Sequence, residues 1–272
     1  SCPGAFSALK PLVEDGRCDI ACSGSVLSEV VGDGRLTPMG SIELEYMEPM
    51  DFEEFLWANG VGSQILNHVR ECYLERKPVD EPIHSIMMSR FREYVCVGGM
   101  PSVVDAFVEK NDINIVRMEQ RDLVEQYRDD FGKYLDENGN EMTDMEMLGR
   151  INQVFDSIPS QLSKENKKFQ YSILSKNARG KTHSSAIQWL SDYGLVNISY
   201  NLMNLQLPLK GNRDDSVFKV YMADTGLFVS MLDRGIYSNI LSGDMHTYKG
   251  AVFENVISDI LNKNGVRLYY YH

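Results

Sequence analysis

Gly98-Gly99-Met100-Pro101 interrupts what is otherwise a helical stretch from residue 61 to residue 137. Two glycines in succession forfeit the helix's restricted backbone freedom, and a proline two residues on cannot continue a helix that has already begun. One helix therefore ends near Val97 and another begins with Pro101 in its first turn, where a missing N–H costs nothing. Apolar residues recur at helical spacing on both sides. Ile65, Val69, Cys72 and Tyr73 share one face, as do Ile86, Met87, Arg90, Phe91 and Tyr94. Leu123, Tyr127 and Phe131 stand four apart in a long amphipathic helix running from Ile113 to Leu135.

Ahead of that stretch, the sequence reads as α/β. Cys18-Asp-Ile-Ala-Cys-Ser-Gly-Ser25 has the character of a short buried strand ending in a small-residue turn, and Ser41 to Met47 alternates as a half-exposed strand does. Asp51 caps a helix bearing Phe52, Phe55 and Leu56 that ends near Gly60. Asp136-Glu-Asn-Gly-Asn140 is the best domain boundary in the chain. Beyond it a helix from Met145 to Phe155 is expected to stop near Pro159. The turn Ser175 to Thr182 leads into a helix holding Ile187, Trp189, Leu190 and Tyr193, with Gly194 at its end. Strands follow at Leu195–Tyr200 and Val217–Met222. Helices followed by a hairpin is the order of a winged helix. Asp224 caps Thr225 to Leu232, Tyr248 to Leu261 is a last helix, and Val266 to His272 is β-prone. The fold class is mostly α with α/β parts.

The 272 residues carry 27 Lys+Arg against 39 Asp+Glu, a formal charge of −12, which argues against a whole-surface embrace of nucleic acid. One segment runs against that balance. Residues 159–190 hold Lys164, Lys167, Lys168, Lys176, Arg179 and Lys181 against Glu165 alone. Clustered lysines neutralise phosphates, so this patch is a candidate for DNA contact through the winged helix, or for protein contact on a solvated face. Gly180, Lys181 and Thr182 resemble the tail of a phosphate-binding loop, but Ser175 stands where that loop needs its first glycine, so the turn and start of a helix is the simpler reading. The histidines are isolated from one another and Cys18 and Cys22 lack a second pair, which leaves no metal set. Five scattered cysteines and no apolar run of spanning length fit a cytoplasmic protein without membrane partners. No basic-plus-apolar leader opens the chain, and both ends read as cut, so a fragment of something longer is expected.

Seven blocks occur in a familiar order: Asp19–Ser25, Met47–Leu56, Tyr94–Pro101, Tyr127–Asp130, Ile158–Leu162, Val220–Leu227 and Lys249–Asn255. Together they resemble a bacterial and archaeal family of predicted AAA+ superfamily ATPases, over nearly the whole chain. The resemblance implies a C-terminal remnant of the ATPase core at 1–60, a helical lid at 61–137, a winged-helix-like domain at 138–232, and the start of a PD-(D/E)XK nuclease-like region at 233–272. It also implies that Gly98-Gly99 marks the lid hinge. ATP and Mg²⁺ would be the parent's cofactors, held by Walker loops upstream of Ser1, leaving this portion catalytically silent. Ser23 or Ser25 would occupy the sensor-1 position, and Glu254 would be the first acidic residue of the nuclease-like fold. The alternative is a DNA-binding or protein-interaction module using residues 164–181. Oligomeric state and protein partner stay open.

Overall fold

The computed structural model describes residues 11–17, 19–23, 43, 45–131, 145–175, 178–244 and 248–271, with only the backbone of Lys181. The chain divides into two compact units, Ser1–Met47 with Leu135–Met142, and Glu48–Tyr134 with Thr143–His272. In the first unit residues 11–15 are helical. Among the described residues of the two strands expected there, 19–23, 43 and 45–47 belong to no ladder, and Cys22, Tyr46 and Met47 are exposed. A lone strand leaves its N–H and C=O groups unpaired, and among the described residues none pairs with these. Cys18, Ser25 and the boundary at 136–140 lie outside the described residues.

The second unit opens with five helices: α1 (Phe52–Ala58), α2 (Ser63–Leu74), α3 (Glu81–Val97), α4 (Pro101–Lys110) and α5 (Ile113–Asp130). Asp51 caps α1 in a full capping box. Its carboxylate accepts from the Glu54 amide at 2.8 Å, and Glu54 accepts from the Asp51 amide at 2.8 Å. Pro101 stands in the first turn of α4, and Asp112 caps α5 by accepting from the Asn114 amide. Phe55, Tyr94, Val97, Val103, Val104, Phe107 and Val116 form the core of this layer. Its rings meet tilted around Tyr94 and stack between Phe55 and Phe107. Tyr73 points outward, 81% exposed, because the buried stripe of α2 runs through Leu66 and Cys72 instead.

Next come α6 (Met145–Leu162), the single turn α7 (Tyr171–Leu174) and α8 (Gly180–Asp192). The expectation that Pro159 stops α6 is corrected: the helix runs one turn past it. Proline removes one backbone bond, but Ile158 and Leu162 are fully buried and hold the turn in place. The hydroxyls of Ser157 and Ser160 donate back to the carbonyls of Val154 and Ser157. Phe131, Phe155 and Trp189 form an edge-on aromatic cluster beneath α8.

The sheet has the order β2-β1-β3, from β1 (Val196–Leu202), β2 (Arg213–Met222) and β3 (Tyr269–Tyr270). β1 and β2 are antiparallel, with Val196 opposite Met222, Tyr200 opposite Phe218, and a bulge between Tyr200 and Asn201. β3 pairs with β1 in parallel through two residues. By strand alternation, Val196, Ile198 and Tyr200 share a face with Phe218, Val220 and Met222; Asn197, Ser199, Lys219 and Tyr221 share the other. The Phe169 amide donates to the Phe218 carbonyl at 2.8 Å and the two rings stack, which ties the segment ahead of α7 to β2.

The remaining helices are α9 (Thr225–Ser230), α10 (Ile236–Ser242) and α11 (Lys249–Lys263). α9 is buried from Thr225 to Val229 and touches α3, α5, α11 and β2. The helical layer and the sheet thus meet on this short helix.

Candidate functional site

α3 ends because Gly98 takes φ +77°, a conformation that side chains rarely adopt. The ending leaves the Cys96 and Val97 carbonyls exposed to the interior. Gln120 of α5, fully buried, donates to both at 2.8 and 3.0 Å, and its oxygen accepts from the Tyr237 hydroxyl at 2.6 Å. The glycine pair is then closed in on every side. A Cβ on Gly98 would lie 2.3 Å from Asp224 Oδ1, one on Gly99 would lie 2.0 Å from the Met50 carbonyl oxygen, and one on Gly226 would lie 2.3 Å from the Val97 carbonyl oxygen. The turn has the φ that a hinge would use, but it is an interlocked backbone contact.

Two carboxylates hold this contact from the C-terminal side. Asp224, 1% exposed, accepts from the Gly99 amide at 2.6 Å and caps α9 by accepting from the Leu227 amide at 2.8 Å. Asp259, also 1% exposed, accepts from the Thr225 hydroxyl at 3.0 Å and pairs with Lys263 at 2.9 Å. Lys263 also donates to the Met50 carbonyl at 3.0 Å and to the Tyr94 hydroxyl at 3.1 Å. Asn255 completes the frame, accepting from the Met222 amide at 2.8 Å and donating to its carbonyl at 3.2 Å. Burial raises both carboxyls above the ordinary range against the pull of Lys263; for Asp259, with Asp224 facing it, the rise is to about 7. Burial, with four acidic residues around it, raises the Tyr94 hydroxyl as well.

Glu254 lies on the same helix but faces the sheet, where it meets Lys167. It also accepts from Lys219 at 3.2 Å and the Tyr221 hydroxyl at 3.0 Å, and Lys219 sits 4.9 Å from the Tyr270 ring centroid. Burial opposes its charge, but the bonds from Lys167 and Lys219 outweigh that and hold the carboxyl below its ordinary range. Lys167 and Glu254, expected to serve different chemistries, are thus partners of one another. Of the other basic residues, Lys164 and Arg179 are exposed and Lys168 is half-buried. Lys176 and the Lys181 side chain lie outside the described residues, as does Ser25, whereas Ser23 is exposed. Gly180 opens α8, and the Thr182 hydroxyl donates to the Arg179 carbonyl at 2.9 Å, the local geometry of a helix start.

Sequence reasoning missed Asp259, Lys263 and Gln120, and took Asp224 for a helix cap alone. Asp259 and Lys263 stand at i and i+4 on α11, a spacing that signals an ion pair but does not reveal burial.

More than half of the chain, residues 88–236, matches the family model described as Domain of unknown function (DUF8612), and the chain belongs to that family. The matched region covers the glycine pair and Asp224 but stops short of Asp259 and Lys263. No curated protein and no solved structure matches the chain.

Proposed function

We propose that the chain is the C-terminal portion of an AAA+ type ATP-binding protein, a module that transmits rather than performs ATP hydrolysis. One observation carries this reading. Four of the blocks that bear the resemblance, separated by up to two hundred residues, supply one buried junction: Met50, then Tyr94 with Gly98-Gly99, then Asp224–Gly226, then Asn255. In such a protein α2 to α5 act as the lid, α1 belongs to the end of the ATPase core, and α6 to β2 act as a winged-helix-like domain bolted to the lid. Arg128 of α5 pairs with Asp156 of α6, and the Tyr193 hydroxyl donates to Asp130, which supports the two moving together. ATP and Mg²⁺ would be held by loops N-terminal to these residues. The α11–β3 segment corresponds to the nuclease-like start, with Glu254 structural because two lysines claim its carboxylate.

The test is titration with a fluorescent ATP analogue and Mg²⁺ of the 272-residue chain, its Lys181→Ala variant, and the chain extended upstream of Ser1. Saturable binding by the extended chain alone is expected. Tight binding by the 272-residue chain that is lost in Lys181→Ala would identify residues 175–182 as a nucleotide loop and overturn the reading. Failure of the extended chain to bind would do the same.

A further inference from the structure

The junction has an unbalanced charge. Asp224, Asp259 and Lys263 are each almost wholly removed from solvent, and together they carry two negative charges against one positive. Among the described residues, the groups facing them from the neighbouring elements do not restore balance. The segment before α1 contributes the Met50 carbonyl and Asp51, and α1 contributes Glu54, both carboxylates acting on Tyr94. α3 contributes the Tyr94 hydroxyl, α5 contributes Tyr127, and α10 contributes Tyr237, each neutral and each feeling Asp224. Arg117 lies beyond Tyr237, 5.3 Å above its ring. A residual negative charge so deeply buried is unfavourable, and a single proton cancels it.

The bonding pattern gives that proton mechanical consequences. Asp224 and Thr225 are adjacent, so the two carboxylates grip one turn from opposite directions: Asp224 reaches out to Gly99 while Asp259 reaches in to Thr225. Repulsion between two ionised carboxylates opposes that grip, while Lys263 divides its bonds among Asp259, Met50 and Tyr94. We propose that Asp224, Asp259 and Lys263 form a proton-operated clasp that tightens the attachment of α11 and α9 to the Met50–Gly99 layer when the carboxylate pair takes up a proton. The upward displacement of Asp259 to about 7 puts that uptake close to neutrality. The clasp is independent of any nucleotide chemistry and is a property of these residues alone.

Two measurements on the 272-residue chain decide it. Side-chain carboxyl ¹³C resonances of aspartate are followed by NMR from pH 5 to pH 9, and amide exchange of Met50, Gly99 and Thr225 is followed over the same range, corrected for intrinsic rates and referenced to β1–β2. The clasp predicts an aspartate carboxyl titrating near neutrality, and protection of the three amides falling about ten-fold between pH 6 and pH 8. Asp259→Asn should remove the titration and flatten the exchange profile. The proposal is overturned if every aspartate carboxyl of the wild-type chain titrates below pH 5, or if the three amides track the reference strands at all pH values. Both outcomes are read on the wild-type chain, so they hold even if the variant fails to fold.

Discussion

Replacing Gly99 with alanine places a methyl group 2.0 Å from the Met50 carbonyl oxygen and 2.7 Å from the Met50 amide nitrogen. Ordinary contact begins at 3.4 Å, so restoring it requires the two backbone segments to separate by about 1.4 Å. Neither side can yield by rotating a side chain, because the clashing atoms are main chain. Separation on that scale breaks the bond from the Met50 amide to the Gly99 carbonyl, now 2.8 Å, and pulls the Met50 carbonyl off Lys263 and Tyr94. Overpacking a core costs about 1–3 kcal/mol and each stranded buried polar group about 1–3 more, so with the Met50 amide and carbonyl both stranded a loss of roughly 3–9 kcal/mol is expected. For a domain whose whole stability is roughly 5–15 kcal/mol, that brings it to the edge of unfolding. The assay is urea denaturation with Gly149→Ala as a control. That glycine lies inside α6 with nothing within 4 Å of an added Cβ, so its replacement should stabilise by about 1 kcal/mol. A Gly99→Ala midpoint matching wild type at unchanged slope would refute the claim that the glycine is required by backbone approach.

Lys263→Met removes the cation and leaves two buried carboxylates facing each other, at a cost of about 3–5 kcal/mol. Because proton uptake by Asp259 relieves part of that cost, the variant's thermal midpoint should fall further below wild type at pH 8 than at pH 6, by calorimetry. Glu254 behaves in the opposite sense. Its folded-state carboxyl is held below the ordinary value, so its contribution is present above about pH 4.5 and is lost as pH falls through the lowered value. Acid unfolding of Glu254→Gln should accordingly lack a component below about pH 4.5 that the wild-type chain shows, measured by circular dichroism.

What the sequence makes legible is local. Asp51, Pro101, Asp224 and Gly194 mark element ends correctly because a cap or a φ preference is decided by a few neighbouring atoms. Pro159 misleads because its local penalty is overridden by the burial of Ile158 and Leu162, a tertiary fact. The described residues around Cys22 and Glu45 join no ladder for a related reason: alternation shows that a segment suits a sheet, not that a neighbour is at hand. The candidate site was the least legible part. Glu254 reads as a helix-surface glutamate until Lys167 and Lys219 are brought to it across 87 and 35 positions. Asp259 and Lys263 read as an ordinary surface pair until Met50 and Tyr94 close over them.

The separation between Met50 and Lys263, 213 positions, also bears on how the chain acquires its shape as it is made. At roughly 5–20 residues per second of synthesis, Met50 leaves the ribosome about 10–40 seconds before its lysine exists. For much of that interval the glycine turn stands without Asp224 or α9 against it, and the apolar side of α3 waits for its cover. Contacts of such long range close late and slowly. The first helical layer must therefore survive as a nascent, half-finished surface until the last turn of α11 supplies Lys263 to close it.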